Sequence, residues 1–359
     1  HERRTTMKTR SDGSKPIEYG CLPAGGLEDV QDFWFWLATN AATDWGFQAA
    51  AAALADINHP RAGELQKEAA AYHHDFMAAM TEARIRTPVV RLRDGRYVPK
   101  YPSELYTRGR AYGWLREVLE GSLFLPAYQL LDPNSPEARW IMQDYEDNLY
   151  ISRQYSYDIP NFGRFWFSRG GFCMQACLLD SPLPYLWRDE IKHYVRAYFN
   201  SFASGFYPET RMLCEHALPE LGYWRGDHFK SSDEAQSTYW LRLMFVREEG
   251  SDLYLGQAIP RYWLADGRGA SIERAASEFG PLSLAYQPDI AAGRIKATLV
   301  PPTRNAPETI YLRFRHPEEK RMTRVTVNGQ PYDRFDAEKE WVILPGALQG
   351  VQEVTAEYR

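Results

Sequence analysis

The chain has 359 residues, 44% apolar and 25% charged, which is enough for two domains and a sizeable core. Its net charge of −5, from 42 basic and 47 acidic residues, comes without a concentrated basic patch, and no apolar run is long enough to cross a membrane as a helix, so neither nucleic acid nor membrane is expected as a partner. Aromatic residues stand out at 14%, with 11 Trp and 23 Tyr; rings fill cores and also line clefts for sugar faces, and composition leaves both open.

The first residues, His1 to Arg10, form a short basic run expected to fray as part of an arm over 1–21. The chain does not open on Met and shows no secretory leader, so a cut N-terminus or a longer precursor is expected. Residues 28–56 are dense in Ala and aromatics on every side, which predicts a helix buried on more than one face and stopped by Asn58-His59-Pro60. A second helix is predicted over 61–84, antiparallel to the first across the short link. The segment 87–98 reads as extended, turning at Asp94-Gly95. Further helices are predicted over 109–131, 136–152, 170–180, 187–203 and 233–248. The loops between them, such as 153–169 and 205–232, are long and rich in Pro, Gly and Tyr, as loops that build a site are.

Beyond residue 250 the pattern changes to short extended runs: 252–255, 271–273, 282–286, 295–300, 310–315, 325–327, 341–345 and 354–356. Asn328-Gly329 between two of them is a hairpin turn signal. Helices first and strands later predict an α+β multidomain chain, with an α/α-hairpin toroid over 22–250 and an antiparallel β-sandwich over 251–359.

Four cysteines, Cys21, Cys173, Cys177 and Cys214, do not make a disulfide framework. Cys173 and Cys177 would share one helix face, and Cys214 with His216 would complete a zinc donor set; buried thiols are the plainer reading. No metal or other cofactor is expected. Walker-type phosphate loops, a Gly-x-Ser-x-Gly elbow and a zinc-protease motif at His73-His74 are absent from the sequence.

Several segments carry a family resemblance. Leu22-Pro23-Ala24-Gly25-Gly26-Leu27-Glu28-Asp29-Val30 opens the first aromatic-rich segment. Lys230 to Ala235 precedes Tyr239-Trp240-Leu241-Arg242. Asp252 to Leu255, Pro260-Arg261-Tyr262-Trp263-Leu264 and Phe279-Gly280-Pro281-Leu282 then lead into the strands. This order resembles large bacterial members of the six-hairpin glycosidase superfamily, which combine an (α/α)6 toroid with β-sandwich domains. The resemblance implies a glycoside hydrolase acting on oligo- or polysaccharides, with a carbohydrate substrate and a periplasmic or extracellular location, a cytoplasmic one staying open. Six hairpins are needed and only three to four are counted, so the missing ones are expected upstream, from a second chain or from a homo-oligomer.

Glycoside hydrolysis uses two carboxyl groups flanking the scissile bond, one as acid and one as base or nucleophile. Four acids are candidates. Glu28 and Asp29 follow a Pro/Gly loop at a helix start, where capping and dipole compensation are the competing reading. Glu215 sits beside His216 among apolar residues, which would raise its pKa, or else pairs with that histidine structurally. Glu234 follows Ser231-Ser232-Asp233, where Asp233 reads as a cap and Glu234 as an acid pointing inward. Trp34, Trp45, Trp114, Trp166 and Trp224 are candidate stacking platforms, and Glu117, His216, Asp227 and His228 are candidate sugar contacts. Asp44, beside Trp45, reads as a satisfied mid-helix acid, or as one that orients backbone or sugar hydroxyls. Two other readings stay open: a polysaccharide lyase using Tyr155, Tyr157 or His216 as base, and a non-catalytic glycan-binding or assembly fragment with an open apolar edge.

Overall fold

The computed structural model of the chain describes residues 6–27, 30–109, 121–150, 182–214, 216–218, 223–225 and 229–359. It divides into two compact units. The first comprises His1–Glu190 and Phe199–Glu234, and the second Ile191–Tyr198 and Ala235–Arg359.

In the first unit, β1 (Gly25–Leu27) pairs antiparallel with β2 (Val30–Trp34), and α1 (Leu37–Asp56) follows. The helix thus starts nine residues later than the predicted 28. The run Val30-Gln31-Asp32-Phe33-Trp34 is β-branched and aromatic, suits a strand, and finds a partner in β1. Trp36 ends the extended stretch by donating from its indole Nε1 to Gly25 O at 2.8 Å. At the other end Asn58 takes a left-handed φ of 54°, with its N–H on Ala55 O at 2.9 Å and His59 N–H on Leu54 O at 2.9 Å. This is how Asn closes a helix before Pro60.

α2 (Ala62–Arg86) packs back on α1. Leu37, Ala38 and Ala41 share a core with Phe76, Ala79, Met80 and Ala83, and with Leu123 to Leu125 and Ile141. Thr87 stops α2 because the residue before Pro88 is held out of the helical region. β3 (Val90–Arg91) and β4 (Tyr97–Val98) form the small hairpin turned through Gly95. Within the predicted helix 109–131, residues 110–120 lie outside the described ones and the rest holds only α3 (Phe124–Ala127). α4 (Pro136–Asp144) has Ser135 as its cap, accepting from Ala138 N–H at 3.1 Å, with Pro136 in its first turn. It continues as a π-helical turn over Tyr145–Tyr150. The predicted helix 170–180 lies outside the described residues. Where one helix is predicted over 187–203, α5 (Leu183–Trp187) ends and α6 (Ile191–Gly205) begins; Ile191–Tyr198 of α6 counts with the second unit, and its end runs into the hairpin β5 (Phe206–Tyr207) and β6 (Met212–Leu213). β7 (His216–Leu218) pairs with β8 (Tyr223–Arg225), and α7 (Ser231–Leu243) follows, its residues from Ala235 on counting with the second unit.

The second unit contains two sheets. One has the order β17-β18-β14-β10-β9 and the other β11-β12-β13-β19-β15-β16. The first is built from β9 (Val246–Glu249), β10 (Asp252–Leu255), β14 (Thr309–Arg313), β17 (Phe335–Asp336) and β18 (Trp341–Pro345). The second is built from β11 (Ala270–Ala275), β12 (Leu282–Asp289), β13 (Arg294–Val300), β15 (Met322–Val327), β16 (Gln330–Tyr332) and β19 (Gln352–Tyr358). Alternate residues are buried: Leu253, Leu255, Ile310, Leu312, Val342 and Leu344 from one sheet, and Leu284, Ile295, Ala297, Leu299, Val354 and Ala356 from the other. Tyr286 links the sheets, donating to Arg313 O at 2.7 Å and meeting Phe314 edge-on. The six-stranded sheet is antiparallel throughout, but β10 and β14 pair in parallel, with Leu253 opposite Ile310, so the sandwich is not wholly antiparallel.

Candidate active site

Four described features of the first unit place polar groups where chemistry is feasible. The most organised lies between α1 and α2. Asp44, in mid-helix, has no exposed side-chain surface. Its Oδ2 is 2.7 Å from His73 Nδ1, and its Oδ1 accepts from Gln48 Nε2 at 2.8 Å. A carboxylate can lose its water shell only when such donors replace it. The ring is held through Nδ1, and about 38% of the His73 side chain is exposed. One turn earlier, Asn40 receives the Tyr72 hydroxyl at 2.7 Å and Leu22 N–H at 3.0 Å, and donates to Trp36 O at 2.7 Å. Beside Asp44, Trp45 is half exposed and stacks on Tyr128 at 5.0 Å with 11° between planes.

A second group is the loop 100–107 at the start of α1. Leu37 N–H reaches Ser103 O at 2.9 Å, and Trp36 bridges to Glu104. Glu104 is fully buried, accepting from Tyr106 N–H at 2.8 Å and from the Thr107 hydroxyl. Lys100, also buried, donates to Tyr101 O at 3.2 Å. The sequence gives no periodic signal for either buried charge, because both sit in an irregular loop.

The third is the π-helical turn. Glu146 there accepts from the Tyr185 hydroxyl at 2.6 Å, and Asn148 Nδ2 donates to Asp144 Oδ1 at 2.8 Å and Arg91 O at 3.1 Å. The sequence predicts one helix over 136–152; its end is instead a wider π-helical turn, from which Glu146 meets Tyr185.

The fourth holds Glu234. It lies in the first turn of α7, partly exposed, and its Oε1 is 3.4 Å from Leu213 N. Lys230 N–H donates to Leu213 O at 3.1 Å, so β6 and the start of α7 are tied twice. Asp233 is buried, with the Ser232 hydroxyl 3.4 Å from it.

Of the other acids read from the sequence, Glu28, Asp29 and Glu215 lie outside the described residues, as do Trp114, Glu117, Trp166, Asp227, His228, Tyr155 and Tyr157. His216 and Trp224 are placed only as backbone, in β7 and β8, where Ala217 faces Trp224 and His216 faces Arg225. Trp34 is partly buried in β2, and Trp45 is the ring stacked on Tyr128. Cys21 and Cys214 are buried thiols; Cys173 and Cys177 lie outside the described residues.

No protein-family model matches this chain. No curated protein matches it. Among the solved structures similar to it are a glycoside hydrolase, 12% identical over 90% of this chain and 56% of that one, with a TM-score of 0.40, and a GH127 β-arabinofuranosidase, 10% identical over 96% of this chain and 55% of that one, with a TM-score of 0.45. The chain spans about half the length of each. At these TM-scores neither likeness decides an activity.

Proposed function

We propose that this chain is part of a glycoside hydrolase of the α/α-toroid plus β-sandwich plan, cleaving oligo- or polysaccharides with a pair of carboxylates drawn from Glu28, Asp29, Glu215 and Glu234. The observation that carries the reading is the order of parts: a helical unit opened by Leu22 to Val30, then α7 with Lys230 to Arg242, then the two-sheet unit. Those are the segments in which the sequence resembles six-hairpin glycosidases. A fold of this kind hosts more than one chemistry, so the reaction has to be tested on substrates.

The test is a panel of aryl glycosides and polysaccharides, with reducing sugar and ultraviolet absorbance both read. Reducing sugar should appear, and of Glu28→Gln, Asp29→Asn, Glu215→Gln and Glu234→Gln the two that remove the pair should each lower kcat by about 10²–10⁴, as loss of a general acid or base does. Ultraviolet-absorbing products would replace this reading with a lyase.

An assembly reading has an observation of its own. Away from its polar stripe of Asn40, Asp44 and Gln48, α1 is mostly Ala, and there Ala42, Ala49 and Ala53, with Ile57 just past its end, are exposed and Trp45 is half exposed. A helix of that pattern is normally covered. On this reading the chain gains activity only when further hairpins are supplied, and silence on the whole panel would favour it.

A further inference from the structure

The segment before β1 and α2 line between them a cavity of about 260 Å3 that is open to solvent on one side. The proposed carboxylate pair has no member in it. Its helix wall comes from Asp75, Ala78, Ala79 and Glu82, which fall on one face of α2. The space exists because the side chains at 78 and 79 end at Cβ, opposite Pro16 and Ile17. The facing segment is held in place by its own turns. Arg10 N–H donates to Ser14 O at 2.8 Å, Asp12 Oδ1 accepts from Ser14 N–H at 2.9 Å, and Tyr19 N–H donates to Pro16 O at 3.0 Å. Gly20 has φ of 82° and sits so near Asp75 that a Cβ would lie 2.4 Å from Oδ2. The cavity is therefore formed before any ligand arrives, which lowers the cost of binding.

The charges around it are unequal. Asp75, with about 10% of its side chain exposed, has Lys15 Nζ at 3.6 Å, and that ammonium also lies 4.3 Å above the Tyr19 ring. Glu82 is taken by Arg86, whose Nε is 2.7 Å away. Arg10 lines the same space, and its Nη1 is 3.5 Å from Ser14 Oγ. It forms no ion pair with any described carboxylate. Among the lining residues three cations thus face two acids; Asp12, whose carboxyl is held low by Ser14 and also by Arg10, lies at the rim, and Arg10 remains the guanidinium suited to a planar anion. Asp75 and Glu82 offer acceptors for hydroxyl groups. The volume lies just under the ~300 Å3 at which sites for drug-sized ligands begin.

We propose that this cavity binds one acidic sugar residue, with its carboxylate on Arg10 and its hydroxyls toward Asp75 and Glu82. The anionic part follows from the charges; the sugar part rests on the glycoside-hydrolase reading. The test is titration of the whole chain with glucuronate, galacturonate, glucose, galactose and acetate, followed by saturation-transfer NMR and calorimetry. Both uronates should bind saturably, and the hexoses and acetate at least about tenfold more weakly. Arg10→Ala should weaken uronate binding by about tenfold or more. Ala78→Phe fills the space from an exposed helix position and should abolish binding, while Ala70→Phe, exposed on the same helix, should leave it unchanged. Absent uronate binding, equal binding of hexoses or acetate, or binding untouched by Ala78→Phe would each overturn the proposal. Uronate binding without hydrolysis of any glycoside would uphold the cavity and count against the hydrolase; hydrolysis without uronate binding would do the reverse.

Discussion

His316 shows how a single residue links the fold of the second unit to pH. It is fully buried, its ring 4.5 Å from that of Tyr358, and its Nδ1 accepts from Glu318 N–H at 3.1 Å. The bond at Nδ1 requires the lone pair there, so the ring is neutral with its proton on Nε2, for which no partner is present among the described residues. Burial lowers its pKa from the usual histidine range, and Lys320 and Arg261 push the same way while Glu318 opposes. A group whose folded pKa is depressed supplies stability above its unfolded value, about 6.5, and loses it as pH falls through the folded value. Urea unfolding between pH 7.5 and 5 should therefore show a steeper acid loss in the native chain than in His316→Gln. Parallel curves would refute this. Nearby Glu340 has the opposite sign: burial raises its pKa, although His316 N–H at 2.6 Å and Arg261 Nη1 at 2.7 Å favour the ionised form. Protonation of Glu340 in acid therefore works against the histidine loss, and the difference between the two chains isolates His316. A second residue-scale case is Gly256, at φ of 69°, where a Cβ would stand 2.1 Å from Tyr286 Oη. Gly256→Ala should cost about 1–3 kcal/mol by denaturant titration. Adding Tyr286→Phe should recover only part of it, since the backbone strain persists.

At the scale of elements, the α1–α2 pair rests on apolar packing plus the buried link from Asp44 to His73 and Gln48. Asp44→Ala removes the acceptor but leaves two donors that can turn to water, His73 being 38% exposed. The expected loss is about 1–2 kcal/mol rather than the larger figure for a stranded buried charge. His73→Ala should cost a similar amount and the double variant less than the sum, because both remove one interaction. Additive losses would show that the contact contributes nothing. The helix α2 was legible as the antiparallel partner of α1 across the short Asn58-His59-Pro60 link, and so was the Asn328-Gly329 turn, where both residues take positive φ, 51° and 78°. The start of α1 was not, because aromatic runs such as Phe33-Trp34-Phe35 suit helix and strand equally and the pairing partner β1 decided. Asp44 read as a satisfied mid-helix acid, but its partner stands 29 residues away and no local pattern points to it. Buried Glu104 and Lys100 were missed for the same reason, their burial being set by the docking of an irregular loop.

For the whole molecule, the change from helical to alternating pattern made the strands of the two sheets legible. The parallel pairing of β10 with β14 stayed hidden, since it depends on a crossover of more than fifty residues rather than on either strand's own sequence. Each unit buries apolar residues of its own: Leu37, Phe76 and Met80 in one, Leu299, Leu312 and Val342 in the other. Units of this kind can open separately. Leu299 is fully buried on β13, flanked by β12 and β19. Leu299→Ala should destabilise its unit by about 2–5 kcal/mol through lost burial and the cavity left behind. Native-state hydrogen exchange should then rise across β12, β13 and β19 while the amides of α1 and α2 keep their protection. Asp44→Ala should produce the converse pattern. If either substitution accelerated exchange equally in both sets, the two cores would open as one cooperative unit, and the division by sequence pattern would not correspond to a division in stability.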